Sequence, residues 1–136
     1  MSVVLRRYSC WFLFFMATLW NSISFMGGFY FPFFSPRYAF NPVAIRLKEL
    51  WYWFVPGDFL LFVSLVLSLW IFFYFRTESE RIFELMQAAG WLSLIKGILN
   101  TAAYAYFLGG ISPSFTNIFS GIIIFLASYT LKGAKQ

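Results

Sequence analysis

Histidine is absent from this sequence, and that one absence removes much catalytic and cofactor chemistry at once. A bis-histidine haem, a histidine-ligated metal, a Ser-His-Asp triad and a zinc-protease helix are all excluded from this chain alone. The single cysteine, Cys10, excludes an internal disulfide and a thiolate metal cluster. Charge is scarce too. There are ten basic and five acidic residues in 136, where a soluble domain carries about a quarter charged residues. So few charges cannot coat a water-facing surface.

What the chain does have is apolar bulk. Hydrophobic residues make up 61% of it, aromatic residues 25%, and the mean hydropathy is +0.74. The apolar residues fall in long runs rather than in short alternating strands, which identifies an all-α integral membrane protein. At this length one transmembrane domain, residues 1–136, is expected. The net charge of +5 does not point to nucleic acid. The basic residues stand at the ends of apolar runs, as topology signals and lipid-headgroup contacts, and form no stripe.

Four transmembrane helices are predicted, at about residues 10–34, 58–75, 82–108 and 115–131. The first follows Arg6 and Arg7, a pattern shared with signal peptides. Its hydrophobicity continues through residues 25–34, so an uncleaved helix is expected, loosened at its end by Gly27, Gly28 and Pro32. Asn41-Pro42 has the form of a helix start. The mixture of Arg46, Lys48 and Glu49 with Trp51, Tyr52, Trp53 and Phe54 predicts a short interfacial helix over residues 42–54 in the first external loop. Pro56-Gly57 is expected to break it.

The second span is short, about 27 Å at the α-helical rise, and has the option of borrowing residues 50–55 across a kink at Pro56. The charged stretch at residues 76–81 must lie in water, and GGISPS, residues 109–114, is expected to form a tight turn. Four spans put both termini on one side. Arg6, Arg7, Arg76, Arg81, Lys132 and Lys135 fall on that side, against Arg37, Arg46 and Lys48 on the other. The positive-inside rule makes the terminus side cytoplasmic, in a plasma or inner membrane rather than an organelle.

The third span carries small residues four apart: Ala89, Ser93, Gly97, Thr101, Ala105 and Gly109. Residues at that spacing share one helix face, and small side chains let two backbones approach closely in lipid. The same span carries Lys96. A lone ammonium in mid-membrane costs roughly 2.5–3.5 kcal/mol on insertion scales, so it should face the bundle interior and find a partner. Of the five acids, Asp58 is the one within plausible reach. An Asp58–Lys96 pair is therefore expected, with Asn100 and Asn21 as hydrogen-bonding neighbours. The alternatives are snorkelling or a carboxylate on another subunit.

Thr18, Asn21 and Ser22 share a face of the first span, Ser64 and Ser68 of the second, and Asn117, Ser120 and Gly121 of the fourth. Such faces pack against other helices more often than they line a passage. Cys10, close to Arg6 and Arg7, is either an acylation site or a buried cysteine.

Three classes of function compete. No two acids share a helix face inside the membrane, so no catalytic residue, cofactor or metal is expected. An exporter that works through a carboxylate in its first span is excluded, because that span holds no acid. A binder or small transporter of a lipid or apolar ligand, using Asp58 and Lys96, stays open. An accessory or structural subunit of a larger membrane complex, in contact with membrane lipids and other integral subunits, fits the small loops and the small-residue face best.

Overall fold

The computed structural model describes residues 3–73 and 80–135, and among them there is helix and turn but no strand. Four helices are long and apolar enough to cross a bilayer: Val4–Phe34, Trp51–Phe73, Arg81–Leu108 and Pro113–Lys132. Most of the charged stretch expected at residues 76–81 lies outside the described residues.

The first of these segments is built from three pieces. Helix α1, Val3–Phe25, passes into a π-helical turn, Met26–Tyr30, and then into the single turn α2, Phe31–Phe34. Pro32 explains the widened turn. It has no N–H, and its ring crowds the carbonyl four residues back, at Gly28. The chain accommodates this by letting the Phe31 N–H reach Met26 O, five residues away. Ser35 is extended, as a residue before proline prefers, and α2 stops there.

Helix α3, Pro42–Glu49, begins as expected. The Asn41 Oδ1 accepts from the N–H groups of Val43 at 2.9 Å and Ala44 at 3.1 Å, with Pro42 in the first turn. It ends at Leu50, and helix α4, Trp51–Phe73, starts at once. The break expected at Pro56-Gly57 does not occur, because α4 runs straight through it. Pro56 sits in the second turn, and the carbonyl that loses its partner belongs to the exposed Tyr52 at the helix start. Trp51, Tyr52, Trp53 and Phe54 therefore open the second of the four long helices rather than close α3. With 23 residues α4 is about 34 Å long, the length of a hydrocarbon span.

Helix α5, Glu80–Leu108, ends at Gly109, whose φ of 72° is the left-handed cap conformation. Its N–H reaches Tyr104 O and Ala105 O, both at 3.2 Å. Helix α6 is Thr116–Lys135. The connection between them is not the tight turn expected. Gly97 lies level with Ile118, and Ser112 is buried, so the chain descends along α5 before α6 begins. As α6 starts at Thr116, two residues before Ile118, roughly the last nine residues of α5, about 13 Å of helix, project past it.

In cross-section α4 packs on α5, α5 on α6 and α6 on α1, with a lighter α1–α4 contact closing the ring. The bundle is divided along its axis. One end, where α1 begins and α6 finishes, has an apolar core of Cys10, Phe14, Ile71, Met86, Ile124 and Leu131. Burial there accounts for Cys10, which is shut away from acylation. Asp58, Lys96, the buried amides Asn21, Asn100 and Asn117, and Ser112 lie towards the other end.

The burial pattern of α4 is inverted relative to that of a water-soluble bundle. On α4 the buried stripe is Phe54, Gly57, Asp58, Leu61, Ser64, Ser68 and Ile71, at three- and four-residue spacing. Phe59, Phe62, Leu69 and Phe73 stand outside. A water-soluble bundle would place these the other way round, because burying Ser and Asp while exposing Phe sacrifices the hydrophobic term.

Candidate ligand-binding site

The close crossings that hold the polar end together come from small residues. Of the α5 ladder, Ala89, Ser93 and Gly97 face the chain's own helices. The Ser64 hydroxyl of α4 donates to Ala89 O at 2.9 Å, and the Ser93 hydroxyl donates to Asn117 O of α6 at 2.8 Å. A Cβ on Gly97 would stand 2.7 Å from the Ile118 side chain and 2.8 Å from its backbone nitrogen. Gly90 and Gly121 form a further crossing, where a Cβ on Gly121 would come within 2.8 Å of Gly90 O. Higher up, Thr101 is half-buried, Ala105 is exposed, and Gly109 serves as the helix cap.

Lys96 and Asp58 are both inside, at 1% and 3% exposure, but they are not bonded to each other. The ammonium donates to Asn117 Oδ1 at 2.7 Å and to Ser114 Oγ at 2.9 Å. The Asp58 Oδ1 accepts from Asn100 Nδ2 at 3.3 Å, and the same amide nitrogen stands 3.4 Å from Phe54 O. The expected direct pair is thus replaced by two polar groups side by side. Geometry explains this: Asn100 reaches towards α4, while Lys96, one turn away on α5, reaches towards the descending segment and α6. Two neutral oxygens take the ammonium before the carboxylate can.

Asn117 is the hub of the lysine group, a role that its place on the fourth span did not reveal. Its Oδ1 also accepts from the Ser24 hydroxyl at 3.0 Å, and its Nδ2 donates to Asn21 Oδ1 at 3.0 Å. Ser114 was likewise missed, because it enters the bundle only through the descent of residues 109–115. Asn21 belongs to this group rather than to Asp58. Ser22, Ser68 and Ser120 back-bond within their own helices, to Thr18 O, Ser64 O and Thr116 O, which is a packing role, while the buried Thr18 hydroxyl has no partner.

The Asp58–Asn100 group is seated on Gly57. A Cβ there would land on Asn100 Oδ1, so only glycine lets the amide lie flat on α4. That oxygen has no hydrogen-bond partner, a costly condition for a buried acceptor.

Above this group opens a cavity of about 480 Å³, between the end of α1, the 26–47 segment, the start of α4 and the descending segment. Its walls are mainly apolar, with Trp20, Ile23, Val43, Leu47 and Phe54 among them. Asp58 and Asn100 lie at its inner end, and Ser112 and Ser114 at its side. Gly27 and Gly28 also border it, and a Cβ at either would meet nothing within 4 Å. No group of three metal-ligating side chains gathers among the described residues.

Fold and site together define an all-helical chain with four membrane-length helices and a partly polar chamber at one end. Comparison with known protein families, with curated proteins and with solved structures finds no match to this chain.

Proposed function

We propose that this protein is a non-catalytic membrane protein that binds a small amphiphilic molecule inside its helical bundle. The observation that carries this reading is the chamber of about 480 Å³, apolar at its walls and polar at its inner end. Its volume falls within the roughly 300–1,000 Å³ of small-molecule sites, and so does its mix of apolar surface with a few convergent polar groups. A purely structural bundle gains nothing from a void over a buried carboxylate, which costs stability on both counts. The inverted burial pattern supports membrane residence, and the distribution of Arg and Lys supports cytoplasmic termini. The chamber would then open towards the opposite face.

Gly28→Phe supplies the test. Gly28 borders the chamber, and a Cβ there meets nothing within 4 Å, so a ring has room to occupy the cavity without replacing a polar group. Saturable binding of an environment-sensitive hydrophobic dye to the detergent-solubilised protein should weaken at least tenfold in this variant. Equal binding by wild type and variant would exclude the chamber as the site.

A second reading, membership of a larger membrane complex, is favoured by the upper rungs of the small-residue ladder. Ala105 is exposed there and the chain's own helices do not cover it, so another helix has room to approach closely. Stoichiometric recovery with larger membrane proteins in mild detergent supports that reading, and recovery of the chain alone counts against it.

A further inference from the structure

The chamber's polar groups are unequal, and their inequality specifies the ligand. We infer that the molecule bound there is a cationic amphiphile, a monoamine with an apolar chain or ring system, whose ammonium docks on Asp58 beside Asn100. This deepens the ligand-binding reading and rests on it.

Asp58 is the one Asp, Glu, Lys or Arg among the described residues that line the chamber. Arg37, Arg46 and Lys48 of the connecting segment do not line it, and Arg46 is engaged with Glu49 at 3.1 Å. Lys96 does not line it either, and its ammonium already holds two oxygens. An ionised carboxylate accepts at roughly four lone-pair sites, yet Asp58 has a single donor, the long 3.3 Å bond from Asn100. Next to it the Asn100 Oδ1 has none. The inner end of the chamber is therefore rich in acceptors and short of donors. A ligand that completes it must donate hydrogen bonds, and a positive charge on the donor gains most from the carboxylate.

The walls agree with this. Trp20, Tyr38, Phe54 and Tyr104 all border the chamber, and aromatic faces attract cations while tolerating alkyl chains. A carboxylate-bearing ligand such as a fatty acid would meet Asp58 head-on, with like charges in a desolvated site. A neutral alcohol would satisfy one lone pair and bring no positive charge to the carboxylate.

The test compares octylamine, octanol and octanoate at neutral pH, by calorimetric titration into the full-length detergent-solubilised protein. It uses wild type, Asp58→Asn and Gly28→Phe. Octylamine should bind wild type at least tenfold more tightly than octanol. Asp58→Asn should erase that preference while retaining octanol binding, and Gly28→Phe should abolish binding of both. Equal affinity of amine and alcohol for wild type, or a preference that survives Asp58→Asn, would overturn the amine assignment. In that case binding sensitive to Gly28→Phe leaves the chamber reading standing. Octanoate as the tightest ligand would overturn it as well and transfer recognition to Lys96. No binding of any of the three, with dye binding indifferent to Gly28→Phe, would remove both the chamber reading and the amine. The preference measured on wild type decides the matter even where Asp58→Asn does not fold.

Discussion

Replacing Gly57 by alanine should destabilise the protein, although alanine is the better helix former. Gly57 lies inside α4, where the exchange gains about 0.5–1 kcal/mol of helix propensity and chain entropy. Against this, the three nearest neighbours of the new Cβ all belong to the Asn100 side chain, and Asn100 Oδ1 occupies its place. Forcing an extra methyl into a filled site costs about 1–3 kcal/mol. The amide must swing away, and Asp58 then loses its N–H donor, at a further cost of about 1–3 kcal/mol for a buried unpaired group. The expected net loss is about 2–3 kcal/mol.

The sign should reverse once the amide is gone. In an Asn100→Ala background the clash is absent and Gly57→Ala should stabilise by up to about 1 kcal/mol. The double-mutant cycle then carries a coupling of about 3 kcal/mol. Equilibrium unfolding in mixed micelles, titrating a denaturing into a mild detergent and following helicity, gives the four values. A neutral or stabilising effect of Gly57→Ala in the wild-type background, or the same effect in both backgrounds, would refute the seating of Asn100 on Gly57.

The lysine group should respond asymmetrically in the same assay. Asn117→Ala leaves the buried ammonium with Ser114 Oγ alone and should cost about 1.5–3 kcal/mol, whereas Lys96→Met removes the charge with its desolvation cost and should cost less than about 1.5 kcal/mol. Adding Lys96→Met to Asn117→Ala should recover most of the loss. Glycines should divide by their surroundings: Gly121→Ala meets Gly90 O and the Leu94 backbone and should lower thermal stability by about 1–3 kcal/mol, while Gly27→Ala enters open space and should be neutral or better. The proposed orientation predicts that, in a Cys10→Ser background, Arg37→Cys reacts with an impermeant maleimide on intact cells. Lys132→Cys should react only after permeabilisation, and the opposite pattern would invert the topology.

The four long helices were legible in the sequence because each is a run of apolar residues that only a helix can carry through hydrocarbon with its backbone satisfied. Their ends were less so. Pro56-Gly57 has the local form of a break, but the cost of a proline depends on how many turns precede it, and here one turn does. The start of α4 at Trp51 also shortens α3 to Pro42–Glu49, because the aromatic cluster suits the end of a crossing helix as well as an interfacial one. The descent of residues 109–115 carried no local signal. It follows from the Gly97–Ile118 and Gly90–Gly121 crossings, which set how far α6 slides along α5, and such a register exists only between helices.

The site was half legible for a related reason. Scarcity of charge singled out Asp58 and Lys96, and helical spacing put Asn100 one turn from Lys96; all three are inside. Matching an ammonium only to carboxylates missed its actual partners. A lysine has three donors and no need of a formal charge opposite it. Asn117 and Ser114 supply two oxygens at 2.7 and 2.9 Å, and both depend on the register of α6. Holding Lys96 there is also what leaves Asp58 underbonded. Had the two met, the chamber would have ended on a closed ion pair with little left to offer a ligand. Neutral side chains satisfy the lysine instead, and the carboxylate at the end of an aromatic-lined cavity is left short of donors.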